Sequence, residues 1–271
     1  MIHLLTRNVC DRLALEDAVL VRVERTEGSA PRDAGTWMAV FAQEVLGTIG
    51  GGQLEWQAIE EARRRLAGAA PDDPKPRRYP LGPSLGQCCG GVVHLRFERV
   101  GAVDRAALAA RLAQALSPAA LFGGGHVGRA LARVLAGLPY ALTWIDSRDE
   151  IFPPDVPPQV NCEHSDPVQA AVPTLSPGTQ VLVMSFSHAE DLDIVAACLR
   201  RQRERADLPF IGLIGSHTKW ATFRHRLAER GFSRDELAHV TSPIGLPGIA
   251  GKEPEVIAVS VAAQLLARRP V

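Results

Sequence analysis

A glycine-rich segment in the middle of the chain matches G-x-G-x-x-G, a pattern typical of turns that hold a phosphate group. In such a turn, the first glycine permits a tight bend, the second lets backbone N–H groups approach the phosphate, and the third lets the following helix pack closely. The phosphate then meets the positive end of the helix dipole. The residues of this turn are Gly123, Gly124, Gly125, His126, Val127 and Gly128. We predict that they bind a phosphorylated cofactor, with His126 either touching it or serving as an exposed spacer.

An acidic residue follows this turn at the distance typical of dinucleotide-binding units. Asp146 ends the next apolar stretch, about 20 residues on, where its carboxylate can accept hydrogen bonds from ribose hydroxyls. It argues against a 2′-phosphate on the ligand, although the nearby Arg148 would soften that preference. With Ser147 between them, these residues extend the predicted site. Nothing in the turn requires NAD, so a nicotinamide, another nucleotide or any other phosphorylated cofactor stays open.

Two later segments place further polar residues at the predicted carboxyl edge of the same sheet. Gly215 and Ser216 follow an apolar strand and begin a helix, so they offer a second anion-binding helix N-terminus. Ser216 as a plain N-cap explains the same pattern. His188 follows another strand, where it either faces the ligand or merely begins the next helix. These three residues are further candidates for cofactor binding.

Two adjacent cysteines, Cys88 and Cys89, lie between a glutamine and a pair of glycines. Adjacent cysteines cannot easily hold one tetrahedral metal ion, and no Cys-x-x-Cys pattern accompanies them. A glycine-flanked thiol could instead carry sulfur, or bind a soft metal such as molybdenum as a thiolate. The alternative is a structural role for two small half-buried residues before a strand. Cys88 and Cys89 are therefore candidates for contact with a cofactor and a metal.

The composition is that of an ordinary globular protein. The 271 residues include 30 basic and 30 acidic side chains, so no net charge attracts nucleic acid or an anionic membrane. The sequence has no apolar run of about 18 residues and no basic-then-apolar start, so we expect neither a membrane span nor a secretory signal. Five cysteines, an odd number, do not make a disulfide framework. We therefore expect a cytoplasmic protein with reduced thiols.

The predicted strands and helices that position these residues fall into an N-terminal group and a C-terminal group. The N-terminal group lacks a regular alternation of strands and helices. Apolar and β-branched runs predict strands at 19–23, 36–41 and 93–98, with an amphipathic helix at 54–66. Alternation in the last of these strands predicts that Val93 and Phe97 face inward and that His94 faces outward. This part is expected to be a small α+β module.

The C-terminal part alternates short apolar strands with helices. Strands are predicted at 119–122, 141–145, 181–184 and 210–214, and helices at 127–137, 189–205, 217–230 and 254–268. This alternation indicates a parallel sheet covered on both faces. The last helix is apolar nearly all round, so it either covers the sheet or forms a homodimer interface.

The predicted fold class is therefore α/β, in two domains. A small N-terminal α+β domain (1–104) is followed by a connecting helix over 106–116 within a linker (105–117). A Rossmann-like doubly wound parallel sheet domain (118–271) completes the chain.

Six motifs along the chain together resemble those of the XdhC/CoxI family of xanthine dehydrogenase accessory proteins. The motifs are Gly28–Arg32, Gly47–Gly52 with Leu54 and Glu55, Gln87–Gly91, Phe122–Gly128, Gly212–Ser216 and Pro243–Leu246. The resemblance implies a chaperone for the molybdenum cofactor that binds molybdenum–molybdopterin. It also implies a cysteine desulfurase partner, so that an oxo ligand is replaced by sulfido, and delivery to the molybdenum subunit of xanthine dehydrogenase. A protein of this kind is an accessory factor rather than an enzyme with its own turnover.

One position departs from what is common in that family, and another distinguishes between its branches. The family commonly has Thr-His-x-His after the third of the strands, whereas this chain has Phe186 in place of the first histidine. Any ligand or proton-transfer role of that histidine is therefore lost here. Gln53 stands where another branch of the family has cysteine, which favours the xanthine dehydrogenase branch over the CoxI-like one.

Two other functions compete with the chaperone hypothesis. An NAD-dependent oxidoreductase would use the Rossmann-like unit, but it needs a proton donor beside the nicotinamide, and only His126, His188 and His217 are candidates. A redox or sulfur-carrying protein would act through Cys88 or Cys89. The chaperone hypothesis differs from both because it predicts no turnover and a need for partner proteins.

Overall fold

The computed structural model describes residues 4–71, 73, 75–81, 90–112 and 116–269. The chain forms two compact units, residues 2–113 and residues 114–271. The predicted connecting helix over 106–116 is shorter than expected. It spans Arg105–Arg111, and its Leu108 is buried in a core of the first unit, so this helix is part of that unit rather than a connector.

The first unit is a five-stranded antiparallel sheet with helices on both faces. Its helices are α1 (Leu4–Arg12), α2 (Gly52–Leu66) and α3 (Arg105–Arg111), and a 3-10 turn (Ala102–Asp104) precedes α3. Its strands are β1 (Ala18–Glu27), β2 (Trp37–Val40), β3 (Val45–Gly47), β4 (Arg77–Pro80) and β5 (Val92–Val100). They lie in the order β3-β2-β1-β5-β4, and every neighbouring pair is antiparallel.

Side-chain alternation along the central strands builds two cores in this unit. Val19 and Val21 of β1 lie in the core that α2 covers, whereas Leu20 lies in the core with α1 and α3. The inward positions predicted for Val93 and Phe97 are confirmed. The outward position predicted for His94 is wrong, as described next.

His94 is buried and lies against a side chain of the neighbouring strand β1. Its exposed fraction is 7%, and its Nε2 lies 3.1 Å from a carboxylate oxygen of Glu27 on β1. Arg96 and Glu98, which alternate with the core residues in the same way, are only half-buried. Alternation alone therefore could not identify the surroundings of this residue.

The second unit is a six-stranded parallel sheet flanked by helices, which confirms the predicted Rossmann-like fold. Its strands are β6 (Ser117–Phe122), β7 (Tyr140–Asp146), β8 (Asn161–His164), β9 (Gln180–Val183), β10 (Phe210–Leu213) and β11 (Val240–Thr241). Its helices are α4 (His126–Ala136), α5 (His188–Arg205), α6 (His217–Glu229), α7 (Arg234–Ala238) and α8 (Pro254–Ala267), with a 3-10 segment at Val168–Thr174. The strand order is β11-β10-β9-β6-β7-β8.

The last helix covers the sheet, which is one of the two roles predicted for it. Val261 and Leu265 of α8 lie in one core with Leu131 and Leu135 of α4. The predicted homodimer stays a prediction. Among the residues that the structure describes, no helix combines the length and the apolar character needed to cross a membrane.

Candidate functional site

The carboxyl ends of two neighbouring parallel strands form the candidate site. β6 and β9 lie side by side, and β7 lies on the other side of β6. The helices that follow β6 and β9 pack on opposite faces of the sheet, since α4 and α5 contribute to separate cores. Ligands of open α/β sheets bind in the crevice at such a point, where the chain leaves adjacent strands in opposite directions.

Close backbone approaches shape the glycine turn after β6. Gly123 has φ +122°, and a Cβ atom there would lie 2.0 Å from the carbonyl oxygen of Met184. A Cβ atom on Gly128 would lie 2.0 Å from the carbonyl oxygen of Gly123. That oxygen also accepts a hydrogen bond of 2.9 Å from Trp144 Nε1. A side chain at either glycine would overlap backbone atoms, which is the structural role that the sequence pattern assigns to these two positions.

Gly125 differs from these two glycines because it is open on one side. It is the N-cap of α4 with φ −70°, and a Cβ atom there would meet no atom within 4 Å. No side chain caps α4, whereas serines cap α5 and α6. The first N–H groups of an α-helix have no partner within the helix. An anion at this end of α4 would therefore find hydrogen-bond donors, so the turn fits a phosphate.

Asp146 is buried, and all its acceptor positions are used. Its exposed fraction is 2%. Oδ2 accepts hydrogen bonds from the Gly124 N–H at 2.6 Å and from the Arg148 guanidinium at 2.8 Å. Oδ1 accepts from the backbone N–H and from Nε of Arg148, both at 2.9 Å. A carboxylate has about four acceptor positions, so this arrangement leaves none for a ribose hydroxyl.

The same hydrogen bonds keep the Asp146 carboxylate ionised. Burial by itself raises the pKa of Asp146, but the hydrogen bonds from Arg148 and Gly124 outweigh burial and hold the pKa below its ordinary value. In return, the hydrogen bond to Asp146 raises the pKa of the Arg148 guanidinium. Asp146 and Arg148 are therefore a charged pair in a fixed geometry, and Asp146 stabilises the glycine turn by accepting the Gly124 N–H.

Two contacts join the segments that follow β7 and β9. Ser147 Oγ donates a hydrogen bond of 2.5 Å to Glu190 Oε1. The Arg148 guanidinium lies over the ring of Phe186, 5.0 Å from its centroid. Because β7 and β9 flank β6, these contacts span the end of the strand that carries the glycine turn. Phe186 itself is 61% exposed.

A buried ion pair supports the loop after β9. Asp191 Oδ1 accepts hydrogen bonds of 2.8 Å from both the N–H and the hydroxyl of Ser185. Its Oδ2 lies 2.6 Å from Lys219 Nζ, which also donates to the carbonyl oxygen of Ile214 after β10. This pair was not predicted from the sequence. Charged residues in the first turn of a helix are usually solvated, and no sequence signal indicated that these two meet.

The other predicted residues of this unit lie in a second cleft. His188 and Ser216 line a cleft of about 310 Å³ at the start of α5 and along α6. Ser216 Oγ accepts a hydrogen bond of 3.1 Å from the Lys219 N–H, so it is the N-cap of α6. His188 packs edge-on against Phe223, with 6.3 Å between ring centroids. Gly215 immediately precedes the cap. These residues thus contribute to the start of α6, and their binding of a cofactor stays a prediction.

In the first unit, loops that carry three of the sequence motifs contact one another. A Cβ atom on Gly91 would lie 2.3 Å from the carbonyl oxygen of Ser29. A Cβ atom on Gly50 would lie 2.7 Å from the ring of Pro31. The motif at 28–32 therefore packs against both the loop at 47–52 and the glycine pair that precedes β5.

Glu55 holds the glycine-rich loop at the start of α2. Its Oε2 accepts hydrogen bonds from the hydroxyl of Thr48 at 2.5 Å and from the N–H groups of Ile49 and Gly51 at 2.9 and 3.1 Å. Partial burial opposes ionisation, but these hydrogen bonds lower the pKa of Glu55. These three donors of the loop are thus used within the protein.

Cys88 and Cys89 lie outside the described residues, and their predicted contact with a cofactor or metal stays a prediction. Within the described ranges, no three His, Cys, Asp or Glu side chains are arranged to hold a metal ion. Burial raises the pKa of Cys10 and Cys162, and it raises the pKa of Cys198 to about 12. These three thiols are therefore not activated nucleophiles.

Comparison with known families agrees with this architecture. The sequence profile of the XdhC Rossmann domain matches residues 120–265, more than half of the chain. The profile of the XdhC and CoxI family matches residues 13–77. The chain belongs to the XdhC family. This membership confirms the family resemblance found in the sequence motifs.

Individual relatives of this XdhC-family chain are distant in sequence. The uncharacterized protein YqeB of Escherichia coli strain K12 is 26% identical over 254 residues, which are 91% of this chain. The chain spans only 42% of the length of that relative. The crystal structure of a xanthine dehydrogenase from Bacillus halodurans has a TM-score of 0.77 at 19% identity, with 97% of this chain and 95% of that chain covered. This likeness shows that the two share a fold.

Proposed function

We propose that this protein is a chaperone for the molybdenum cofactor. It binds molybdopterin, supports the sulfuration of the bound metal and helps to insert the cofactor into the molybdenum subunit of xanthine dehydrogenase. Membership of the XdhC family supports an association with xanthine dehydrogenase. The proposal includes a cysteine desulfurase as second partner, a homodimeric state and a cytoplasmic location.

The observation that carries this proposal is the saturation of the Asp146 carboxylate. A dinucleotide needs an acceptor for its ribose hydroxyls at this position. Molybdopterin in its simplest form has a terminal phosphate and no ribose. The four hydrogen bonds from Gly124 and Arg148 to Asp146 therefore favour a phosphorylated ligand without a ribose, such as molybdopterin, over a dinucleotide.

The glycine turn supplies the donors for that phosphate. The N–H groups at 126–128 and the dipole of α4 favour an anion, and the absence of a side chain at Gly125 lets it approach. The bound cofactor would supply the molybdenum centre whose oxo ligand is exchanged for sulfido. Cys88 and Cys89 are the proposed contacts of this chain to that metal. The protein itself binds and orients the cofactor and passes it on.

A charge placed at Gly125 tests this proposal. Aspartate is a good N-cap, so Gly125→Asp should preserve α4 while its carboxylate competes with the phosphate. Gly137→Asp adds the same charge at the exposed other end of α4, where φ is −87°. Each protein would be purified from cells that make molybdopterin, and its bound molybdenum and pterin would be measured. We expect near-stoichiometric cofactor on the wild type and on Gly137→Asp, and at least a tenfold loss, or about 1.4 kcal/mol, on Gly125→Asp.

An NAD-dependent oxidoreductase is the alternative that the same experiment addresses. If the wild-type protein carried neither molybdenum nor pterin and NAD clearly raised its melting temperature, the chaperone proposal would be wrong. Retention of cofactor by Gly125→Asp would show that the glycine turn does not hold the phosphate. Activation of cofactor-free xanthine dehydrogenase by the loaded wild-type protein, with a cysteine desulfurase present, would then test the delivery step.

A further inference from the structure

We infer that Phe186 and Arg148 form a stacking subsite for the planar ring of a phosphorylated heterocycle. This inference rests on the proposed function and deepens it. It assigns a ring-binding role to Phe186, the residue at which this chain departs from the histidine common in its family.

The first observation is the exposure of Phe186 at the crevice. The Phe186 side chain is 61% exposed, so a planar ligand can reach its ring. It lies two residues after Met184, whose carbonyl oxygen is the atom that a Cβ on Gly123 would meet. The exposed ring therefore belongs to the loop that contacts the glycine turn.

The second observation is that the ring already has a cationic neighbour in a stacking position. The Arg148 guanidinium lies over the Phe186 ring at 5.0 Å from the centroid. Guanidinium groups and aromatic rings both stack on planar heterocycles. The guanidinium covers one face of the Phe186 ring, so a heterocycle would stack on the other face of this surface, with the positive charge close by. A planar ring linked to a phosphate has both complementary features.

The third observation is that this surface is held in place from both sides. Two hydrogen bonds to Asp146 hold the Arg148 guanidinium and a third holds the Arg148 backbone N–H, and Asp146 also accepts from the Gly124 N–H of the turn. On the other side, Asp191 holds the backbone of Ser185, the neighbour of Phe186. A continuous series of contacts therefore joins the proposed phosphate turn to the ring surface. Such preorganised groups lose little freedom when a ligand binds.

The test compares three probes on variants of Phe186 in the full-length protein. The probes are 6-hydroxymethylpterin monophosphate, unphosphorylated 6-hydroxymethylpterin and inorganic phosphate. Phe186→Leu keeps an apolar side chain but removes the ring, whereas Phe186→Trp keeps an aromatic face. Because the side chain is largely exposed, both variants should unfold in urea close to the wild type. Affinities would be measured by isothermal titration calorimetry and by pterin fluorescence.

We expect Phe186→Leu to bind the pterin monophosphate about tenfold more weakly than the wild type, since stacking on one aromatic ring is worth about that factor. Phe186→Trp should bind it at least as tightly as the wild type. Binding of inorganic phosphate should be the same in all three proteins, because the glycine turn is unchanged.

The outcomes separate this inference from the proposed function. If the wild type binds the pterin monophosphate and Phe186→Leu binds it equally well, the stacking subsite is wrong and the proposed phosphate site stands. An equal loss for inorganic phosphate would also overturn the inference, because Phe186 would then only support the turn. If the wild type binds neither the phosphorylated pterin nor phosphate, the proposed function fails together with the inference that rests on it.

Discussion

A Cβ atom on Gly128 would lie 2.0 Å from the carbonyl oxygen of Gly123, far inside van der Waals contact. The first helical turn of α4 therefore lies directly against the turn that leaves β6. The same oxygen is held by Trp144 Nε1 at 2.9 Å. The distance between helix and strand at the candidate phosphate site thus depends on the absence of one side chain.

Gly128→Ala should separate α4 from this turn. The added methyl group overlaps a backbone atom that cannot rotate away. We therefore expect the free energy of unfolding, measured in urea, to fall by about 1–3 kcal/mol. The fluorescence of Trp144 should also change, since its hydrogen bond is to the displaced carbonyl group. Gly125→Ala is the matched control, because a Cβ there meets nothing within 4 Å. It should stay within about 1 kcal/mol of the wild type, and equal losses in both variants would contradict the steric argument.

Asp146→Asn should destabilise the protein in a pH-dependent way. The folded state holds the pKa of Asp146 below its ordinary value. Its ionised form therefore stabilises the protein above the ordinary pKa of about 3.9, and this contribution is lost as the pH falls through the folded-state pKa. At pH 7 we expect the free energy of unfolding of Asp146→Asn to be about 1–3 kcal/mol below that of the wild type, because Arg148 loses its charged partner.

Urea unfolding of the wild type and of Asp146→Asn between pH 3 and pH 7 measures this effect. The difference between the two proteins should shrink towards acid pH. Asp149→Asn is the control, since that side chain is 86% exposed, and it should have a small effect throughout. A difference for Asp146→Asn that does not depend on pH would argue against an ionised, hydrogen-bonded carboxylate.

Gly91→Ala should disturb the contact between the motif loops of the first unit. A Cβ atom there would lie 2.3 Å from the carbonyl oxygen of Ser29, so one of the two loops must move. We expect a loss of about 1–3 kcal/mol in thermal or urea unfolding. The adjacent variant Gly90→Ala places its Cβ in open space and should behave like the wild type. If the two neighbours gave the same stability, the packing of these motifs would not depend on Gly91.

Lys219→Met should reveal the strength of the buried ion pair under the loop after β9. The substitution leaves Asp191, which is 2% exposed, without its cation. Removal of one partner from a buried ion pair costs about 3–5 kcal/mol of stability. We expect the free energy of unfolding in urea to fall by an amount of that order. Lys252→Met, at an exposed position, is the control and should change stability by less than about 0.5 kcal/mol. A small effect at Lys219 would mean that water replaces the lysine.

Most of the second unit could be predicted from local pattern because its central strands are short apolar runs between turns. The strands at β6, β7, β9 and β10 and the glycine turn were identified in this way. Two edge strands were not, since β8 (Asn161–His164) is mostly exposed and polar and β11 has only two residues. Such strands carry no periodic apolar signal and exist because a neighbouring strand offers hydrogen-bond partners.

Side-chain partners were the least predictable feature of the site. Along α2, the i,i+4 spacing pairs Glu61 with Arg65 and Glu60 with Arg64. The first pair is present at 3.2 Å, but Arg64 contacts Glu61 instead of Glu60. The contacts of Asp191 with Lys219 and of Arg148 with Phe186 join residues 28 and 38 positions apart. No local rule relates residues at such separations.

The sequence by itself determined the fold class of this protein and the position of its glycine turn. Strand periodicity, glycine spacing and each of the six motifs are patterns of residues close together in the chain. They were sufficient to predict the Rossmann-like unit and the resemblance to the XdhC family. Only the tertiary structure decided what Asp146 does. In sequence it is a free acceptor for a ribose, but in the fold its four acceptor positions are filled by Gly124 and Arg148. Which lone pairs remain free depends on atoms brought together by folding, and no spacing in the chain encodes it.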